Sequence, residues 1–149
     1  MDADTRKALA ALIRKERIAH LATLRQGAPM ASMTLYLASE RLDAFHVHVS
    51  RLAWHTQDMQ KDARVALSIA ERDDGRADPF TLMRVTIRGD AFQNLNGPRQ
   101  AWLARFPEQA INFQLADFSF WKIVPRDARF VAGFGRIHNL SAKELMNES

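Results

Sequence analysis

Two periods divide the hydrophobic positions of this chain. Near the N-terminus Ala8, Leu9, Leu12 and Ile13 recur at the spacing of one helical face, with Asp4 or Thr5 placed to cap the helix start. From residue 18 onward the period is mostly two. "IAHLATLR" (18–25) and "MASMTLYLA" (30–38) flank the turn signal "QGAP", where Gly27 supplies the positive φ of a tight hairpin. After the turn "SERLD", Phe45, Val47 and Val49 alternate with His46 and His48 in a strand over 43–49. Val65, Leu67 and Ile69 mark another strand over 63–71, and a short helix near 52–61 joins the two. "RDDGRADP" reads as a loop by its Gly, Pro and Asp content. Residues 80–92 form a long strand in which Gly89 marks a bulge or bend. Residues 97–116 read as two short helices broken at Pro107, and "FSFWKIVP" and "ARFVAGFG" as a closing hairpin.

Six or seven strands with short helices predict a mainly β fold closed as an antiparallel barrel, because closure removes exposed sheet edges. A parallel α/β sheet would interleave helices of ten or more residues. The length of 149 residues suits one domain over 1–149, with no repeat or linker.

Composition narrows the function classes. No apolar run approaches the roughly 20 residues of a membrane span, and the N-terminus lacks the apolar stretch of a signal peptide, so the expectation is a cytoplasmic protein with no membrane partner. The absence of cysteine excludes disulfides, thiolate catalysis and Cys-ligated zinc. A net charge of +4 and a pI near 10 suit an anionic partner, either a polymer or a small phosphate ligand.

The stretch "SRLAWHT" (50–56) gives that charge a place to act. A helix N-terminus offers unpaired N–H groups and a positive dipole end, and here Ser50, Arg51, His55 and Thr56 surround it. Such a corner can hold a phosphate. The plainer reading makes Ser50 an N-cap, Arg51 a solvated charge and His55 a surface residue.

Four blocks, in order, carry a resemblance over most of the chain: "GAPMASM", "SRLAWHTQDMQKDARVAL", "DPFTLMRVTIRGDA" and "FSFWKIVPRDARFVAGFGRI". The sequence resembles the flavin-binding split-barrel family typified by pyridoxamine 5'-phosphate oxidase, and within it the HugZ-like haem-utilisation branch. That resemblance implies an antiparallel FMN-binding split β-barrel, a homodimer with FMN in a groove between two barrels, and a small-molecule redox substrate. It implies phosphate contacts from Ser32 on the second strand and from Ser50, Trp54, His55 and Thr56 after the third. Arg84 falls where a side chain faces the flavin, while Phe118 and Arg136 match positions that reach the cofactor or substrate from the other subunit. The oxidase proper carries Arg and Lys where this chain has Ser32, Leu37, Trp54 and His55, so the cationic clamp is thinner here. The tail "RIHN" keeps only Arg136 and His138 of the oxidase pattern, and the chain is shorter than haem-utilisation members commonly are.

Other residues have plainer explanations. His46 and His48, with His20, could be metal ligands, yet two histidines on one strand without a nearby carboxylate more simply line a polar or subunit-facing surface. Trp102 and Trp121 are expected in the core or at an interface, and Met30, Met33, Met59 and Met83 as core filler. Two function classes remain: an FMN-dependent oxidoreductase, and a non-catalytic carrier of flavin or haem. A nucleic-acid-binding barrel is disfavoured, since Tyr36 is the only tyrosine and the basic residues form no stripe on a strand face.

Overall fold

The computed structural model describes residues 1–146. Helix α1 (Ala3–Lys15) leads into β1 (Ile18–Arg25) and β2 (Ala28–Leu35), then the two-residue β3 (Leu37–Ala38) and β4 (Phe45–Ser50). Helix α2 (Trp54–Lys61), β5 (Arg64–Ala70) and β6 (Arg84–Gln93) follow, and then α3 (Arg99–Arg105), β7 (Phe118–Val131), β8 (Ile137–Ser141) and α4 (Ala142–Leu145). All pairings are antiparallel, in the order β2-β1-β5-β6-β7-β4-β3, with β8 also paired to β7. This is the curled sheet of a split barrel.

Its local causes are visible in the residues. Gln26 and Gly27 both take positive φ, the two-residue hairpin turn that suits the twist of β1 and β2. At Gly89 the β6–β7 register shifts, and a Cβ there would lie 2.3 Å from the Val124 carbonyl oxygen, so the bulge requires glycine. Inward residues of every long strand, among them Leu21, Val47, Leu67, Ile87 and Phe130, meet Leu9, Leu12 and Ile13 of α1 in the main core. A second cluster of Trp102, Phe106 and Phe120 sits under α3 and the 3-10 segment Pro107–Gln114.

Several expectations need correction. The closing hairpin is not 118–125 with 128–135. Residues 118–131 form one strand that passes Pro125 at the bulge, where its missing N–H is tolerated, and the hairpin partner is β8. Gly133 and Gly135, both at positive φ, form the turn between them. The strand predicted from residue 80 begins at Arg84, because Asp78 caps a 3-10 turn over Pro79–Thr81. Tyr36 interrupts the strand predicted over 30–38; its hydroxyl donates to the Ile13 carbonyl oxygen at 2.6 Å. The cap of α1 is Asp2, whose carboxylate accepts from the Thr5 N–H, rather than Asp4 or Thr5. The second of the two short helices is 3-10 rather than α.

Candidate functional site at the strand-to-helix corner

Strand β4 ends at Ser50, and α2 begins at Trp54, slightly later than the sequence suggests. Ala53 is the N-cap and makes no side-chain cap bond, so the first turn of α2 has no side-chain acceptor on its free N–H groups. Ser50 is therefore not the cap of this helix. Its Oγ accepts from the Leu52 N–H at 3.1 Å and donates to Asp117 Oδ2 at 2.6 Å, while the Arg51 N–H donates to the Asp117 carbonyl oxygen at 2.7 Å. Asp117 thus fastens the corner to the start of β7 and brings a carboxylate beside it.

The first turn itself carries unsatisfied groups. Thr56 is buried, and its Oγ1 has no partner within the chain; the same holds for His55 Nε2. Leaving a buried polar group unpaired costs about 1–3 kcal/mol, so such atoms call for an explanation. Burial lowers the His55 pKa below its ordinary value, with Asp58 pulling weakly the other way, so the ring is neutral at pH 7. A neutral imidazole donates one hydrogen bond and accepts one.

Sequence reading missed what fixes α2 to the sheet. Asp58, one turn beyond Trp54, is 3% exposed and accepts from Thr23 Oγ1 at 2.7 Å and from Arg25 Nη1 at 2.7 Å. Arg25 also lies 4.1 Å from the centre of the Trp54 ring, which is 55% exposed. A cation stacked on one face of an indole and locked by a buried carboxylate leaves the other face rigid and presentable. Arg25 sits just before the "QG" turn, and that position was the only signal available for it.

The remaining candidates lie elsewhere on the chain. Ser32 is half-buried on β2 opposite Leu21. Arg51 is exposed. Arg84, at the start of β6, donates from Nη1 to the carbonyls of Phe80 and Leu82 and lines a groove that includes none of residues 50–56. Phe118 packs on His48, with ring centres 5.5 Å apart, and the Arg136 guanidinium donates to Thr5 Oγ1 on α1. Within one chain, then, the corner unites Ser50, Arg51, Trp54, His55 and Thr56. It does not gather Arg84, Phe118 and Arg136.

His48 departs from expectation. Instead of lining a polar surface it stacks on Phe113 at 4.2 Å among Trp102, Phe118 and Phe120, and burial followed by the nearby Arg99 lowers its pKa. Trp102 and Trp121 are core residues, as expected, but Met33 is 61% exposed rather than core filler.

The family model described as pyridoxamine 5'-phosphate oxidase matches residues 5–132, from α1 through to the end of β7. The chain belongs to the pyridoxamine 5'-phosphate oxidase family. Its relatives within that fold are haem proteins by name. The chain is 36% identical over 89 residues to the non-canonical heme oxygenase HOZ, chloroplastic, of Arabidopsis thaliana, covering 57% of this chain but 26% of that one. It is 24% identical over 131 residues to heme oxygenase HutZ of Vibrio cholerae, covering 82% and 72%. A heme binding protein from Mycobacterium smegmatis superposes with a TM-score of 0.83 at 24% identity, over 97% of this chain and 61% of that one, and supports the shared fold. The chain thus spans about a quarter of the plant relative and nearly three quarters of HutZ. No helix among the described residues is long and apolar enough to cross a membrane.

Proposed function

We propose that this chain binds FMN through the phosphate at the β4–α2 corner and serves as a cytoplasmic, homodimeric FMN-dependent oxidoreductase. The observation that carries the reading is the pair of buried, unpartnered polar atoms, His55 Nε2 and Thr56 Oγ1, in a helix first turn whose cap residue supplies no acceptor. A phosphate is an acceptor-rich group that would satisfy both, together with the free N–H groups of the turn. Ser32 and Arg51 are the supplementary donors. Ser50 must exchange its bond to Asp117 to contribute, so its part is smaller than that of His55 and Thr56. When bound, the flavin supplies the redox chemistry. This chain's residues hold the phosphate, keep Trp54 flat against Arg25 beside it and, through Thr23 and Asp58, prevent α2 from shifting.

Titration of the apoprotein tests the phosphate requirement. FMN should bind at least tenfold tighter than riboflavin, and the chromophore released from purified protein should be FMN. Equal affinities would remove the phosphate corner from the account.

A second reading, haem utilisation, draws support from the printed functions of the two relatives. Haem titration with and without saturating FMN separates the two: haem binding with no FMN binding would favour the second.

A further inference from the structure

On the outer face of the sheet, away from the corner, lies an open groove of about 580 Å³. Ser68 pairs with Thr86 and Thr86 with Arg129, so β5, β6 and β7 present these three side chains in one cross-strand row. Arg84 pairs with Val131, two residues beyond Arg129, which makes the two arginines diagonal neighbours on that face, about 7–8 Å apart. Among the described residues neither is paired with a carboxylate, and no acid lines the groove. Nη1 of Arg84 is held by two backbone carbonyls and Nη1 of Arg129 by Asn139 Oδ1 at 2.8 Å, so both guanidinium groups are oriented with donors to spare. Two like charges this close repel unless an anion joins them. Phe80 and Phe134 flank the groove, 69% and 78% exposed, and offer flat apolar faces beside the charges. The lining includes no His, Cys, Met or Tyr that could ligate a metal.

We propose that this groove binds a flat conjugated ring bearing two carboxylates, one on each of Arg84 and Arg129, with the ring against Phe80 and Phe134 and without coordination of any metal at its centre. Pairing of each guanidinium with a carboxylate is charge-assisted and can be bidentate. A groove of this volume falls in the range of small-molecule sites. The inference deepens the haem-utilisation reading, since a tetrapyrrole is such a ring, and FMN binding at the corner is independent of it.

The test is a fluorescence titration of the full chain with metal-free protoporphyrin IX, with its dimethyl ester, and, by absorbance, with its iron form. The free acid should bind at least tenfold tighter than the ester, and the iron form should bind within about threefold of the metal-free form. Arg84→Gln or Arg129→Gln should each weaken the free acid about tenfold or more. Phe134→Ala, on an exposed turn, should weaken acid and ester alike. Arg129→Gln should leave FMN affinity unchanged, so the groove and the corner can fail separately. Equal binding of acid and ester, no loss in either arginine variant, a much tighter iron form, or no porphyrin binding at all would each overturn the proposal.

Discussion

His55 and Thr56 show how far single residues could be read from the sequence. Their types and their place after a strand mark an anion corner, but that their polar atoms lack partners follows only from what packs around them. Ser50 shows the opposite limit: its hydroxyl is engaged by Asp117, 67 positions away, a pairing no local pattern reveals. Asp58 was equally hidden, a polar residue in a short helix that is the buried anchor of Thr23 and Arg25. Asp58→Asn should cost about 2–4 kcal/mol of stability, measured by urea unfolding, because the Arg25 charge and the Thr23 hydroxyl lose their common acceptor. The histidines set a pH dependence whose sign is fixed. His46, His48 and His55 all have folded-state pKa values pushed below the ordinary 6.5, chiefly by burial. Between the folded and unfolded values the unfolded chain binds more protons, so stability is full above pH 6.5 and falls on acidification below it. His48→Phe, which keeps the ring stack and removes the buried unpartnered nitrogen, should shallow that acid loss in unfolding curves taken from pH 7 to 5.

At the level of elements, strands with an unbroken period of two were legible. Residues 18–25 form β1 with the bounds the alternation gives, and β5 is within one residue of its expected bounds at each end. The errors fell where Pro, Gly or a tertiary contact overrides pattern. Pro125 looks like a strand end, yet the bulge opposite Gly89 leaves its nitrogen without a required partner and the strand continues. "IHNLS" is too short and too mixed to announce β8, and its strand character comes from pairing with Phe130 and its neighbours. The bulge therefore carries weight in the sheet. Gly89→Ala should destabilise by more than about 2 kcal/mol in thermal or urea unfolding, since the new methyl would overlap backbone atoms that cannot swing aside.

For the molecule as a whole, the barrel could be inferred from strand count and resemblance, and the family match through residue 132 agrees with it. The partner subunit lies beyond what one chain displays. The candidates that the corner does not gather, Arg84, Phe118 and Arg136, belong in the homodimer reading to contacts made across subunits. Ile18 and Met33 are exposed on the outer face of β1 and β2, an apolar surface suited to a second copy. Light scattering should give about twice 16.9 kDa, and a monomer that retains flavin would rule out a shared site.

The central claim is that the phosphate is gripped by the first turn of α2, and calorimetric FMN titration of His55→Ala, Thr56→Ala and His46→Ala tests it most directly. Loss of His55 or Thr56 should cost about 1–3 kcal/mol of FMN affinity and leave riboflavin affinity and the fold intact. Arg51→Ala should cost less, and His46→Ala nothing. If His46→Ala strips the flavin while His55→Ala and Thr56→Ala bind it normally, the phosphate is not at this corner.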